Sequence, residues 1–563
     1  MKKLFKSPFV ILVLVCLPAI YFLLRPGFYE PQDLHHIADI FQMYKAVVSG
    51  QLPPRLGPDY LWGFGYPLFN LYYVLPFYLG AVFYALTKSL TGSFEFVFVV
   101  AASLSIFGMY LFLREFFGKI ASLTGSILYL YTPYRAVQIY VRGAMGEALA
   151  MAVIPFVFWG ATRVVKEPSR ANISILGLTL AALILSHNYL WLLAAPFLAL
   201  FCLVFLYRKE SRGKSVKVLI LGVLLGAGAS SYWWLPAVKE FNLVSGITPF
   251  ALEDHFPFIK QLLLPSCGYG ASVWGPYDGM SFQVGVVNLA VVAGSLVIIF
   301  LKRKNLGKYG SILALAIGGF FVSVVMMNIR TLPLWKLLPI YQFVQFPWRL
   351  LFLTTFFSAI LGAFLIDAFS RKIALWVGLA VAVLSISLTW GYFRPSQVVY
   401  KPDDFYLTRM FAIASEGEER IGVSQDYINW SEDYLLLPLG VKKADRLFTP
   451  KIVGDENATV LEIEKINQVD YRAEVEARSQ AKVTFYSLYF PGWTSTLDGV
   501  STQITQGEPF GQMEVTVAQG RHTVEFSWKE TPQRLAADLV SLISLGIGVW
   551  LLLDKRGRRD ATT

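Results

Sequence analysis

Apolar runs of bilayer length recur from one end of this 563-residue chain to the other, and they decide what it can fold into. Crossing a hydrocarbon core of about 30 Å takes about 20 predominantly apolar residues, and helices or closed barrels alone keep the backbone satisfied there. About twelve helical spans are expected, near residues 8–24, 96–113, 120–134, 148–162, 173–187, 190–207, 216–236, 284–301, 309–327, 350–366, 373–390 and 536–553. With 55% hydrophobic and 15% charged residues, the chain carries more apolar surface than a soluble core hides. The expected fold class is a polytopic α-helical membrane protein.

Orientation follows from charge. The net charge of +11 comes from Lys and Arg residues in short loops beside apolar runs, so membrane sidedness accounts for it and no nucleic-acid partner is expected. If Lys2, Lys3 and Lys6 are cytoplasmic, then Arg114/Lys119, Arg163/Lys166/Arg170, Arg208/Lys209/Arg212/Lys214, Lys302/Arg303/Lys304, Arg371/Lys372 and Lys555/Arg556/Arg558/Arg559 share that side. Both termini are then expected in the cytoplasm and the chain in the cell membrane. This parity requires that the apolar stretch Tyr66 to Leu86 not cross fully; its rings suit an outer-face or re-entrant helix, the alternative being an ordinary span. The start, basic then apolar, has the form of a signal peptide without a small-residue cleavage site, so a retained first helix is expected. Cys16, Cys202 and Cys267 supply neither a disulfide framework nor a zinc cluster.

The outer side then owns a first loop, 25–95, and a long late segment. From about Asn457 that segment alternates apolar and polar residues in short runs: Thr459 to Ile463, Tyr471 to Val475, Ala481 to Tyr489, Met513 to Val517 and His522 to Trp528. Asp498-Gly499 signals a hairpin. Three regions are expected: a transmembrane part over 1–392, an extracytoplasmic, mostly β, sandwich-like domain over 393–533, and a last helix with a basic tail over 534–563.

Four polar segments fall at helix ends on that outer side, where an ionisable group is costly enough that function is the default reading. In Tyr29 to Asp39, Pro31 and Asp33 resemble a helix start, with an amphipathic helix running to about Val48 and Asp33, His36 and Asp39 on one face. Such groups orient an acceptor, take its proton or hold a divalent cation; a solvated cap is the plainer role. In Tyr140 to Glu147, Arg142 and Glu147 flank Gly143 and Gly146, which allow close backbone approach, while Glu147 equally suits the positive end of its helix. His187, in the tight Ser186-His187-Asn188 turn, either meets substrate or bonds to backbone. Arg349, after Phe346-Pro347-Trp348, offers a planar donor fork to a lipid phosphate or snorkels to ordinary headgroups.

These segments, with Gly63 to Asn70, Pro133-Tyr134-Arg135 and Tyr140 to Ala148, resemble the prokaryotic membrane family labelled "6-pyruvoyl-tetrahydropterin synthase-related". The chain lacks the histidine zinc pattern of a pterin synthase, so the label implies no pterin chemistry. More broadly the arrangement is similar to the GT-C glycosyltransferases, including YfhO-like proteins, whose ending resembles Tyr489 to Trp493, Asp498-Gly499 and Gly520 to Val524 here. The resemblance implies a membrane glycosyltransferase that moves a sugar from a polyprenyl-phosphate-linked donor to an extracytoplasmic glycan, polymer or lipid acceptor of the cell envelope. It implies Asp33 and Glu147 as catalytic residues, His36, Arg142, His187 and Arg349 as substrate-binding residues, and a divalent cation, magnesium or manganese, on Asp33 and Glu147. No Trp-Trp-Asp acceptor motif of the oligosaccharyltransferase kind is found, so transfer to asparagine is not expected. A flippase of lipid-linked sugars and a non-catalytic membrane scaffold are the alternatives.

Overall fold

Pro133 shows how the sequence cuts the apolar runs into elements. The helix Lys119–Leu130 stops short of it, Thr132 turns extended and accepts a hydrogen bond from the backbone of Arg135, and the chain continues as one turn, Pro133–Ala136, and a π-helical turn, Val137–Arg142. A proline both lacks an N–H and forces its predecessor out of helical geometry, so the run expected near 120–134 is broken at its end. The computed structural model describes residues 7–207, 209, 212–245, 250–303, 306–412, 427 and 435–554. Lys2, Lys3, Lys6, Arg208, Lys304 and the basic tail from Lys555, which carry part of the charge argument, lie outside the described residues.

Among the described residues, seven helices are long and apolar enough to cross a membrane: Leu90–Arg114, Met145–Lys166, Leu190–Tyr207, Gly307–Met326, Pro347–Asp367, Arg371–Thr389 and Pro532–Leu553. The pair Arg212–Ala229 and Ser231–Leu243, bent by 69° at its break, makes up to eight. Length therefore yields fewer crossings than the twelve or so expected, because Pro8–Leu24, Arg170–Ser186 and Val286–Leu301 are apolar but shorter. The stretch 66–86 divides into Leu68–Leu71 and Leu75–Thr87; the latter's 13 residues rise about 20 Å, well below a bilayer core.

Burial separates the helices by position. The most apolar windows of Pro347–Asp367 and Met145–Lys166 are 89% and 83% buried within the protein, against 22% for Leu190–Tyr207 and Pro532–Leu553. The first two form the centre of the bundle, and the last two present Leu, Ile and Val side chains outward. Leu90–Arg114 packs on Met145–Lys166, which in turn packs on Arg170–Ser186.

The late segment folds as two antiparallel sheets. One has the order β1-β4-β8-β7 (Ile452–Gly454, Ala481–Phe485, Met513–Val517, Thr505–Gln506), the other β2-β3-β9-β5-β6 (Ala458–Lys465, Asp470–Ala477, Gly520–Trp528, Trp493–Leu497, Val500–Thr502). Alternate residues turn inward, and Val475, Val483, Phe485, Val515 and Phe526 close one core between the sheets. Asp498-Gly499 makes the β5–β6 hairpin, pairing Leu497 with Val500, with both turn residues at positive φ (52° and 80°) as the two-residue turn demands. The sheets dock on the first loop: Leu56 enters their core, and Ser487 and Leu488 bond to the Phe64 carbonyl.

Candidate functional site

Backbone pairing fixes the position of Asp33. Gln32 and Asp33 donate their N–H groups to the carbonyls of Val141 (3.0 Å) and Arg142 (2.7 Å), so the turn after the first helix is fastened to the end of the π-helical turn. Gly143 follows with φ +70°, and a Cβ there falls 2.6 Å from Cγ of Pro31, so glycine is what permits the contact. The chain then enters Met145–Lys166 with Glu147 in its first turn, while Arg349 sits in the 3-10 turn Pro347–Leu350 that opens the other central helix.

The side chains from these loops meet. Arg142 Nη1 and Arg349 Nε each donate to Oε1 of Glu147 at 2.6 Å, and Tyr134 (2.9 Å) and Gln138 (3.3 Å) donate to its Oε2. Arg142 Nη2 lies 3.6 Å from Oδ2 of Asp33. Two carboxylates and two guanidiniums balance, as burial requires, since an unpaired buried charge costs several kcal/mol. The Asp33 side chain is 30% exposed and that of Glu147 2%. Asp33 is therefore the acid open to an incoming molecule. Trp348 lies against both guanidiniums, 4.8 Å from Cζ of Arg142 and 6.0 Å from that of Arg349, and Tyr189 lies 5.1 Å from Arg349.

His187 completes the cluster from the turn between two helices. Its ring stacks on Tyr73, with centroids 5.4 Å apart, and Gly146 packs so closely on Tyr73 that a Cβ would collide with the ring. Burial, then the charge of Arg349, lowers the His187 pKa to about 3, so the imidazole is neutral at ordinary pH. Beside this turn, an apolar cavity of about 630 Å³ runs between the helices Met145–Lys166, Arg170–Ser186, Leu190–Tyr207 and Arg212–Ala229, bounded near His187 by Ile184 and Trp191.

The structure thus joins Asp33, Arg142, Glu147, His187 and Arg349, and His36 reaches them through Tyr73, whose ring stacks on His187. The helix starts at His36, leaving Asp33 in the preceding turn, where its carbonyl accepts from the His36 N–H, so within the helix His36 and Asp39 share the expected face. His36 is turned inward, with Nδ1 3.0 Å from Asp39 Oδ2 and Nε2 3.2 Å from the Tyr73 hydroxyl. Nor do Asp33 and Glu147 fit a cation held between them, because the Arg142 guanidinium contacts both carboxylates and Arg349 adds a second positive charge on Glu147. The sequence assigns no role to Tyr134, Gln138, Tyr73 or Tyr189; its signals are the Pro133-Tyr134-Arg135 motif and the abundance of aromatic residues around these loops.

The family model described as "6-pyruvoyl-tetrahydropterin synthase related domain; membrane protein" matches residues 69–396. An uncharacterized protein of Lactococcus lactis subsp. cremoris is 25% identical over 340 residues, covering 58% of this chain and 54% of that protein, so the chain spans about half the length of this curated relative. Among solved structures, the arabinofuranosyltransferase AftD from Mycobacteria overlaps with a TM-score of 0.44 at 13% identity, covering 69% of this chain and 27% of that one. ArnT from Cupriavidus metallidurans, bound to undecaprenyl phosphate, overlaps with a TM-score of 0.37 at 13% identity, covering 71% and 68%.

Proposed function

From the premise that this chain belongs to the 6-pyruvoyl-tetrahydropterin synthase related family of membrane proteins, we propose that it is a membrane glycosyltransferase of the GT-C kind. It takes a sugar from a polyprenyl-phosphate-linked donor at the outer leaflet and passes it to an extracytoplasmic glycan or lipid of the cell envelope. The observation that carries this reading is the partly exposed carboxylate of Asp33 beside the Arg142–Glu147–Arg349 cluster. A base and a cationic phosphate site stand side by side there, at the ends of the two most enclosed helices.

In the reaction, the acceptor hydroxyl attacks the anomeric carbon, its proton passes to Asp33, and the bond from that carbon to the phosphate oxygen breaks with its electrons on the phosphate. Arg349, with Arg142 on the same Glu147 oxygen, stabilises the growing charge. Neutral His187 donates or accepts a hydrogen bond without adding charge. A positioned base contributes about 10²–10⁴-fold. The apolar cavity beside His187 suits an isoprenoid tail, whose solvation favours an uncharged wall. To the two-sheet domain, docked on the first loop at Phe64, we assign the role of covering the site or selecting the acceptor.

The test is purified chain in proteoliposomes with a labelled polyprenyl-phosphate sugar. Release of free polyprenyl phosphate with label on an acceptor supports the proposal. Movement of intact donor across the bilayer without release identifies a flippase, and neither result identifies a scaffold.

A further inference from the structure

One turn from Asp33, and outside the cluster just described, His35, His36 and Asp39 each offer a ligand atom within 4.8 Å of the others. We propose that these three residues form a binding site for a zinc-class transition-metal ion. Two imidazoles and one carboxylate are the donor set that such ions favour, whereas magnesium and manganese prefer all-oxygen sites. Metal–ligand bonds of about 2.1 Å place tetrahedral ligands about 3.4 Å apart, so the side chains must close up modestly, while the His36–Asp39 separation of 3.0 Å is already that short.

The surroundings are those that metal ligands need. The far nitrogen of His36, Nε2, faces the Tyr73 hydroxyl, and the far oxygen of Asp39, Oδ1, accepts from the Tyr60 hydroxyl at 2.5 Å. Outer partners of this kind fix the tautomer and the angle of the ligating atoms. In the neutral Nδ1–H tautomer of His36, Nδ1–H donates to Asp39 and Nε2 accepts from Tyr73. With metal, Nδ1 gives up its proton to bind and Nε2–H donates to Tyr73 instead, a reversal that a hydroxyl accommodates because it both donates and accepts. His36 and Asp39 are fully buried, and Asp33 two residues before His35 supplies further negative charge beside a dication. The inference does not depend on sugar transfer: it concerns a zinc-class ion, not the magnesium or manganese expected on Asp33 and Glu147.

The test uses the full chain in detergent, stripped with a chelator and titrated with zinc alone, then with cobalt(II) for its visible spectrum. One equivalent is expected to bind, with the intense bands of a four- or five-coordinate cobalt site, and His35→Gln and Asp39→Asn are expected to weaken binding by at least about 100-fold. Tyr60→Phe, which removes a single hydroxyl and keeps the ligands, is expected to cost about 10–100-fold, so the test survives a ligand variant that fails to fold. Asp33→Asn is expected to keep the site. Absence of saturable zinc binding by the unsubstituted chain, unchanged binding in His35→Gln and Asp39→Asn, or loss of binding confined to Glu147→Gln would each overturn the proposal.

Discussion

Arg349 Nε and Glu147 Oε1 lie 2.6 Å apart although 202 residues separate them in the chain. Arg142 reaches the same oxygen at the same distance, so one buried carboxylate ties the π-helical turn 137–142 to the turn 347–350. Glu147 is the hub of this cluster, and Asp33, more exposed, stands at its edge.

A first prediction concerns that hub. Glu147→Gln leaves two guanidiniums beside a neutral amide, and breaking a buried ion pair from one side costs about 3–5 kcal/mol. The variant is expected to melt well below the parent chain in detergent and to lose activity together with fold. A melting temperature within a degree or two of the parent would contradict the hub role.

Asp33→Asn is expected to behave in the opposite way. Its side chain is partly exposed and 3.6 Å from Arg142, so its loss leaves the other ion pairs of the cluster in place. Folding should be retained while transfer falls by about 10²–10⁴-fold, the range for a positioned base. Turnover of a labelled donor by the two variants, read beside their melting curves, separates a reactive group from a structural one.

Gly146→Ala probes the packing that carries His187. A Cβ at that position collides with the Tyr73 ring and lies 2.8 Å from the Ser186 carbonyl oxygen, and overpacking of this kind typically costs about 1–3 kcal/mol. Glycine leaves room for Tyr73 to stack on His187, so alanine is expected to lower both stability and turnover. Thermal melting of the purified variant checks the first and donor turnover the second.

Much of this site was legible in the sequence, for a reason that is physical. Basic loops report sidedness because the membrane potential and lipid charge act on them, and on that reading Asp33, Glu147, His187 and Arg349 share one side. Alternation reported the strands β3, β8 and β9 because one face of each is buried. What stayed hidden depends on contacts between distant loops. Nothing local to His36 says that both its nitrogens are engaged inward by Asp39 and Tyr73, and nothing local to Arg142 says that it stands between two carboxylates. The strand Trp493–Leu497 is hidden because Thr494, Ser495 and Thr496 mask its alternation, and the break at Pro133 because hydropathy averages across it.

His187 gives a pH dependence with a definite sign. Its pKa is lowered from 6.5 to about 3 in the folded protein, first by burial and then by Arg349. Between those values the unfolded chain binds the proton and the folded one does not, so stability rises with pH across this window. The contribution is complete above pH 6.5 and is lost as pH falls toward 3. Denaturation followed at pH 7, 6, 5 and 4 is expected to show steady weakening, with a shallower slope in His187→Asn. Equal slopes in the two chains would rule out His187 as the group responsible.

The most direct measurement is a structure of the full chain with polyprenyl phosphate in lipid nanodiscs. The account predicts the phosphate within hydrogen-bonding distance of Arg349, beside the Asp33 carboxylate, with the isoprenoid tail in the cavity bounded by Ile184 and Trp191. A phosphate bound elsewhere, with Arg349 still closed on Glu147 and that cavity empty, would contradict it.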